Sequence, residues 1–334
     1  LHGEVIGWRA GREDEFRDAV ELGVASFKFY TAYAASGRRT LPREMATAFR
    51  ALARLHALAV VHAEDEGLIQ SIAARLTDEE RGRMRTLAAA RPDLAEQAAI
   101  SQVSGIARTA GCRLHIVHVS SRIGLDAVRS ARSEGTAITA ETCPQYLLLT
   151  SAAYDREDGR FFSAAPPLRT DADRDALWGA LRSQDIDYVA TDHCPFTREQ
   201  KAWRGSFLDL PYGLPGVETL LPLLYSAGVT TGRLHLTDVA RVLAEAPAKR
   251  LGMYPRKGAL EVGSDADVVL YDPKGDSTVR AAELHSRTDF SPYEGMPIAG
   301  RVAATLARGE VVFESGHAVA SPGRGRHVRT GTAA

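Results

Sequence analysis

The sequence predicts an α/β protein built on a parallel sheet, with a smaller β domain following it. Two observations carry this. From the start to about residue 250, short apolar runs alternate with amphipathic stretches, the pattern of βα units. Beyond that point the texture changes to turns and short β runs, notably GALEVGSDADVVLYDP and AGRVAATLARGEVVFESGHAV. In order, the strand candidates are HGEVIG near residue 4, VASFKFY ending near Tyr30, ALAVVH ending at His62, LHIVHV ending near Val119, TAITAE near residue 138 and IDYVAT ending at Thr191. Helical stretches at 12–22, 42–56, 94–110, 122–133 and 171–181 separate them, and another lies at 236–251. A closed (β/α)8 barrel needs eight strands, so on that fold two are missing from the N-terminal side. An open doubly wound sheet accounts for the same pattern. The final stretch, SPGRGRHVRTGTAA, lacks periodicity and reads as a flexible tail.

Composition narrows the function. The 334 residues are 45% hydrophobic, enough for one large core or a core plus a satellite domain. Lysine plus arginine total 41 against 42 acidic residues, so no long-range field favours nucleic acid or an anionic membrane. A small neutral substrate suits such a surface. Cys112, Cys143 and Cys194 are too scattered for a CxxC site and too few for a disulfide framework, which points to a reducing, cytoplasmic setting. No apolar run reaches membrane-spanning length. The chain opens without methionine on an apolar run, as a fragment starting inside a strand is expected to do.

Four residues stand at the C-terminal ends of strand candidates, where a barrel collects its active-site side chains: Lys28, His62, His118 and Asp192. Their wide separation excludes a local finger-type metal site and requires convergence through the fold. The other lysines are Lys201, Lys249, Lys257 and Lys274, in a chain that otherwise uses arginine. An amine at position 28 can lose its proton, take up carbon dioxide and present a bridging carbamate, which a guanidinium cannot. Taken singly, Lys28 also fits a snorkelling strand-end lysine, and each histidine a hydrogen-bonded core residue. Within HIVH, alternation places His115 and His118 on opposite faces, so His115 is expected to pack outward. Asp192, in YVATDHCPF, can ligate a metal and carry a proton, with His193 behind it. Tyr33 can donate to an oxygen that gains charge. Asp265 and Asp267, in GSDAD, read as a solvated turn and not as a calcium loop. Cys143 and Cys194 each precede proline and read as structural thiols.

The combination SFKFYTAY, VVHAEDEGLI, HIVHVSS, ETCPQYLLL, APPLRTDADRDALW, ATDHCPFT and GLPGVETLLPLLYSAGV resembles the dihydropyrimidinase and hydantoinase group of cyclic amidohydrolases over nearly the whole chain. The resemblance implies a (β/α)8 TIM barrel lacking its first two strands, with strands three to eight in residues 1–254. Residues 255–334 are then the C-terminal portion of a β-sandwich domain plus the tail. It implies two Zn2+ ions bridged by N6-carboxylated Lys28, with His62, His118 and Asp192 as further ligands. Asp192 is also the acid and base, Tyr33 the oxyanion donor, and Ala165 and Tyr212 line the substrate site. The substrate is a small cyclic amide, and the assembly a homo-oligomer, with a homotetramer as the expected form.

Three departures accompany it. The family's HxH pair has no counterpart, and His2 does not replace it, so the polypeptide as given is not expected to hold a complete two-metal centre. Ala165 stands where serine is frequent, and Tyr212 where PNG is usual. Allantoinase, dihydroorotase and a non-catalytic scaffold of the same fold are the alternatives.

Overall fold

The protein is described by a computed structural model covering residues 1–331. Six strands, β1 (Gly3–Glu4), β2 (Ser26–Tyr30), β3 (Leu58–His62), β4 (Arg113–Ile116), β5 (Ile138–Thr142) and β6 (Tyr188–Val189), form one sheet in sequential order. Every neighbouring pair is parallel. Helices return the chain between strands, so all C-terminal strand ends share one rim.

The two faces of the sheet divide as a β alternation requires. On the outer face Phe27, Phe29, Ala59, Val61, Leu114, Ile116, Ile138 and Ala140 join the main hydrophobic core. The helices Pro42–Arg54, Asp93–Ala110, Arg122–Ser133 and Asp171–Ser183 pack side by side against it. Pro42 starts its helix with a pre-set φ, and the Glu44 carboxylate accepts from Leu41 N at 2.9 Å. Phe49 and Leu52 from that helix are fully buried, each stabilising by about 1.5–3 kcal/mol. The inner face mixes polar and apolar side chains: the register aligns Lys28 with Val60, Val60 with His115, and His115 with Thr139.

That register corrects the expectation for His115. Its ring points inward, buried, 2.9 Å from Thr139 Oγ1, 3.2 Å from Glu141 and 2.9 Å from the Tyr188 hydroxyl. β4 ends at Ile116, earlier than Val119, and His118 adopts a left-handed φ of 45°. Alternation therefore stops before His118, and both imidazoles reach the interior. β6 likewise ends before Thr191, and Asp192 also has a φ of 45°. For a non-glycine residue such a conformation is uncommon and is held by its surroundings.

The antiparallel sheet comprises β7 (Val268–Thr278), β8 (Pro297–Ala307), β9 (Glu310–Glu314) and β10 (His317–Ala318), in the order β10-β9-β8-β7. Two-residue turns at Arg308–Gly309 and Ser315–Gly316, all four residues at positive φ, suit the right-handed twist of the hairpins. The sheet rests on the barrel helices, with Ala299 N donating to Ser226 Oγ at 2.9 Å and the Tyr225 and Tyr271 rings 4.8 Å apart.

The tail up to residue 331 is anchored, contrary to its reading as flexible. Thr330 is buried; its hydroxyl donates to Gly23 O at 2.8 Å and accepts from Ala25 N at 3.0 Å. Gly23 has a φ of 90°, and a Cβ there would lie 2.7 Å from Arg329, so glycine is required for the tail to dock. The last three positions of the predicted tail, 332–334, lie outside the described residues. Among the described residues no helix is long and apolar enough to cross a membrane.

Candidate active site

The rim brings several of the singled-out residues together. His62 closes β3 and His118 follows β4; His62 Nδ1 and His118 Nε2 face each other at 2.8 Å, with ring centroids 4.7 Å apart. Tyr33, just beyond β2, lies with its ring 4.9 Å from that of His62. Thr31 stitches the two strand ends: its hydroxyl oxygen is 3.0 Å from His62 O and 2.8 Å from Glu64 O, and it accepts from Glu64 N at 2.8 Å.

Lys28 is half-buried, with Nζ 5.3 Å from the Tyr30 ring centroid. Desolvation pushes its ammonium down to about 8, opposed first by the Asp192 carboxylate. Asp192 keeps solvent contact, yet the surrounding protein pushes its carboxyl up to about 6, and Lys28 pulls it back. The two groups act on each other electrostatically: an amine whose proton is loosened by burial and a carboxyl that burial inclines to hold one. Burial lowers both histidines, His118 well below the ordinary range, so both rings are neutral and each offers a lone pair.

Sequence reasoning missed the layer beneath. Glu64, fully buried, lies 2.9 Å from His62 Nε2. Arg91 grips the same carboxylate with two donors, Nε at 3.1 Å and Nη2 to the other oxygen. Burial alone would raise the Glu64 carboxyl, but Arg91 and then His62 outweigh it and hold it well below the usual range. Since an ionised carboxylate only accepts, His62 carries its proton on Nε2 and turns Nδ1 towards His118 as a lone pair. The Arg91 guanidinium also lies 5.6 Å from the Tyr33 ring and 5.5 Å from the Tyr212 ring. Farther back, Arg169 donates to Arg91 O at 2.6 Å and to Ser120 Oγ at 3.1 Å, and Ser120 N donates to Glu96 at 2.8 Å. Burial pushes Glu96 up to about 7.

Tyr212 thus reaches the site through Arg91. Ala165 forms a cis peptide with Pro166; the nearby Ser163 O accepts from Gly213 N at 3.0 Å, tying its loop to that of Tyr212. His193 supports the GLPGV loop: its Nδ1 lies 3.1 Å from Gly216 N and 3.2 Å from Val217 N, and accepts from them.

Two converging imidazole nitrogens, His62 Nδ1 and His118 Nε2, fit one borderline-soft metal ion. Among the described residues no three or more histidine, cysteine or carboxylate side chains gather as a metal-holding group. The chemistry of the two imidazoles fits a metal held through His62 and His118, and Lys28 and Asp192 act electrostatically on each other.

The polar cluster lies at one rim of a parallel α/β sheet, where a barrel enzyme carries its active site, and the model of the amidohydrolase family matches residues 11–312. The chain belongs to that family, whose enzymes are generally metal-dependent. A D-phenylhydantoinase from Escherichia coli O1:K1 / APEC is 40% identical over 98% of this chain and 71% of its own length. Among solved structures, the dihydropyrimidinase from Brevibacillus agri NCHU1002 superposes with a TM-score of 0.96 at 32% identity, covering 100% of this chain and 73% of that one. The L-hydantoinase from Arthrobacter aurescens superposes with a TM-score of 0.90 at 34% identity, covering 96% and 71%.

Proposed function

We propose that the protein hydrolyses the cyclic amide bond of dihydropyrimidines or 5-substituted hydantoins to give N-carbamoyl amino acids. The observation that carries this reading is the juxtaposition of His62 Nδ1 and His118 Nε2 at 2.8 Å beside the coupled Lys28 and Asp192. Relatives named D-phenylhydantoinase and dihydropyrimidinase support it. In this reading residues 1–254 are barrel strands three to eight with their helices, and 255–334 the C-terminal part of a β-sandwich.

His62, His118, Lys28 as its carbamate, and Asp192 would be among the ligands of a two-zinc centre, which these four residues do not complete by themselves. When bound, the zinc pair supplies Lewis acidity towards the amide carbonyl and lowers the pKa of water. The chain's own side chains do the rest. Asp192, with its carboxyl raised to about 6, accepts the proton of the attacking water and delivers it to the ring nitrogen as the C–N bond breaks. Tyr33 stays protonated, because burial raises its phenol, and donates to the carbonyl oxygen as that atom gains charge. Glu64 and Arg91 hold His62 in one tautomer, and the loops bearing Ala165 and Tyr212 seat the ring. A cytoplasmic homo-oligomer acting on a small neutral substrate, without nucleic acid or membrane as partner, completes the proposal.

The test is to assay the purified full-length protein with dihydrouracil, hydantoin, allantoin and dihydroorotate. N-carbamoyl product from the first two supports the reading. Turnover of allantoin or dihydroorotate alone, or of none, refutes it.

A further inference from the structure

Lys201 is fully buried, and no carboxylate is among the charges acting on it. Its three ammonium donors are all used on neutral oxygens: Ser163 O at 3.0 Å, Ser163 Oγ at 2.7 Å and Pro211 O at 3.1 Å. The Phe196 ring centroid, 5.6 Å away, covers another side. Desolvation brings this ammonium down to about 7. Burying an ammonium without a counter-charge is unfavourable, and aligned carbonyl dipoles offset that only in part. Stability alone therefore gives no reason for a lysine here; an apolar side chain of similar length would fill the space.

The oxygens it binds belong to two different loops. Ser163 lies two residues before Ala165, and Pro211 immediately precedes Tyr212, so the ammonium ties together the two segments assigned to the substrate ring. The same joint contains a Ser163 Oγ bond to Pro211 O at 3.2 Å and the Gly213 N bond to Ser163 O at 3.0 Å. Gly213 is closely packed, since a Cβ there would meet Cys194 at 2.7 Å. Tyr212 in turn faces Arg91, which holds Glu64 and through it His62. The spacing of the two loops is thus braced from inside the protein by Lys201 together with the two direct bonds of Ser163.

We propose that Lys201 is a positioning residue for substrate recognition, fixing the distance between the Ala165 and Tyr212 loops that grip the cyclic amide. The inference rests on the proposed function. Without Lys201, Ser163 O keeps Gly213 N, and Ser163 Oγ keeps Pro211 O, so no buried oxygen is orphaned and Lys201→Met should fold. What is lost is the rigidity of the joint.

The experiment compares steady-state hydrolysis of hydantoin by the full-length wild type, Lys201→Met and Ser163→Ala, with zinc content measured for each. Lys201→Met is expected to raise KM about tenfold with kcat within about threefold and zinc unchanged, the signature of lost uniform binding. Ser163→Ala removes the Nζ–Oγ and Oγ–Pro211 bonds and is expected to raise KM about threefold. An unchanged KM, or a loss confined to kcat, overturns the inference, whatever happens to the melting temperature. Should Lys201→Met not fold, Ser163→Ala decides by the same criterion. A wild type that hydrolyses no cyclic amide defeats the functional reading instead, before any variant is compared.

Discussion

Replacing Arg91 with methionine isolates the physics of the buried layer. The guanidinium is the only cation making hydrogen bonds to Glu64 among the described residues, and that carboxylate is fully buried. Removing one partner of such a pair leaves a desolvated charge and costs about 3–5 kcal/mol. The pH dependence follows from the direction of the Glu64 shift. In the wild type the folded carboxyl is depressed, so its stabilisation is present above the ordinary carboxylate range and is lost as pH falls through and below that range. In Arg91→Met the burial that already opposes ionisation dominates, the folded carboxyl rises above its unfolded value, and stability is lost as pH increases. The gap between the two proteins should therefore be widest near pH 8 and narrow on acidification by up to about 1.4 kcal/mol per pH unit for one proton. Urea unfolding of chelator-treated protein, followed by tryptophan fluorescence from pH 5 to 8, measures it. A difference below about 1 kcal/mol at pH 8, or one that does not change with pH, refutes the buried-pair account.

Glu64→Gln is expected to weaken zinc binding about 10–100-fold, because the His62 tautomer is no longer fixed by an ionised carboxylate; competition against a chelating dye reads it. Tyr33→Phe should lower kcat for hydantoin by about 10²–10³ with little change in KM, since its donor matters only as charge develops. Thr330→Val leaves the Ala25 backbone N–H without its acceptor and should cost about 1–3 kcal/mol, seen as a lower urea midpoint and faster proteolysis of the tail.

Much of the barrel portion was legible from periodicity. All six strand candidates form, and the helices fall where amphipathic stretches separate them, because burial on both sides of a parallel sheet leaves a strong pattern. His115 was misplaced for a specific reason: alternation holds only while the strand continues, and β4 stops at Ile116 before a left-handed His118. Glu64 and Arg91 carry no local mark of burial. They meet across 27 positions, and a charged residue in HAED or ARPDL looks the same in sequence whether it faces water or a partner. Lys201 was noted only as one of few lysines, since three carbonyl and hydroxyl acceptors on distant loops leave no trace in its neighbours. The docked tail was missed because its anchor depends on Gly23, whose open backbone conformation matters only once Arg329 arrives.

The most direct test of the central claim is anomalous diffraction at the zinc absorption edge from crystals of the full-length protein. A peak about 2.0–2.1 Å from both His62 Nδ1 and His118 Nε2, with those nitrogens spread apart to admit the ion, is the predicted result. Zinc-supplemented crystals with no peak at these imidazoles, or with the two nitrogens still in direct contact, would contradict it.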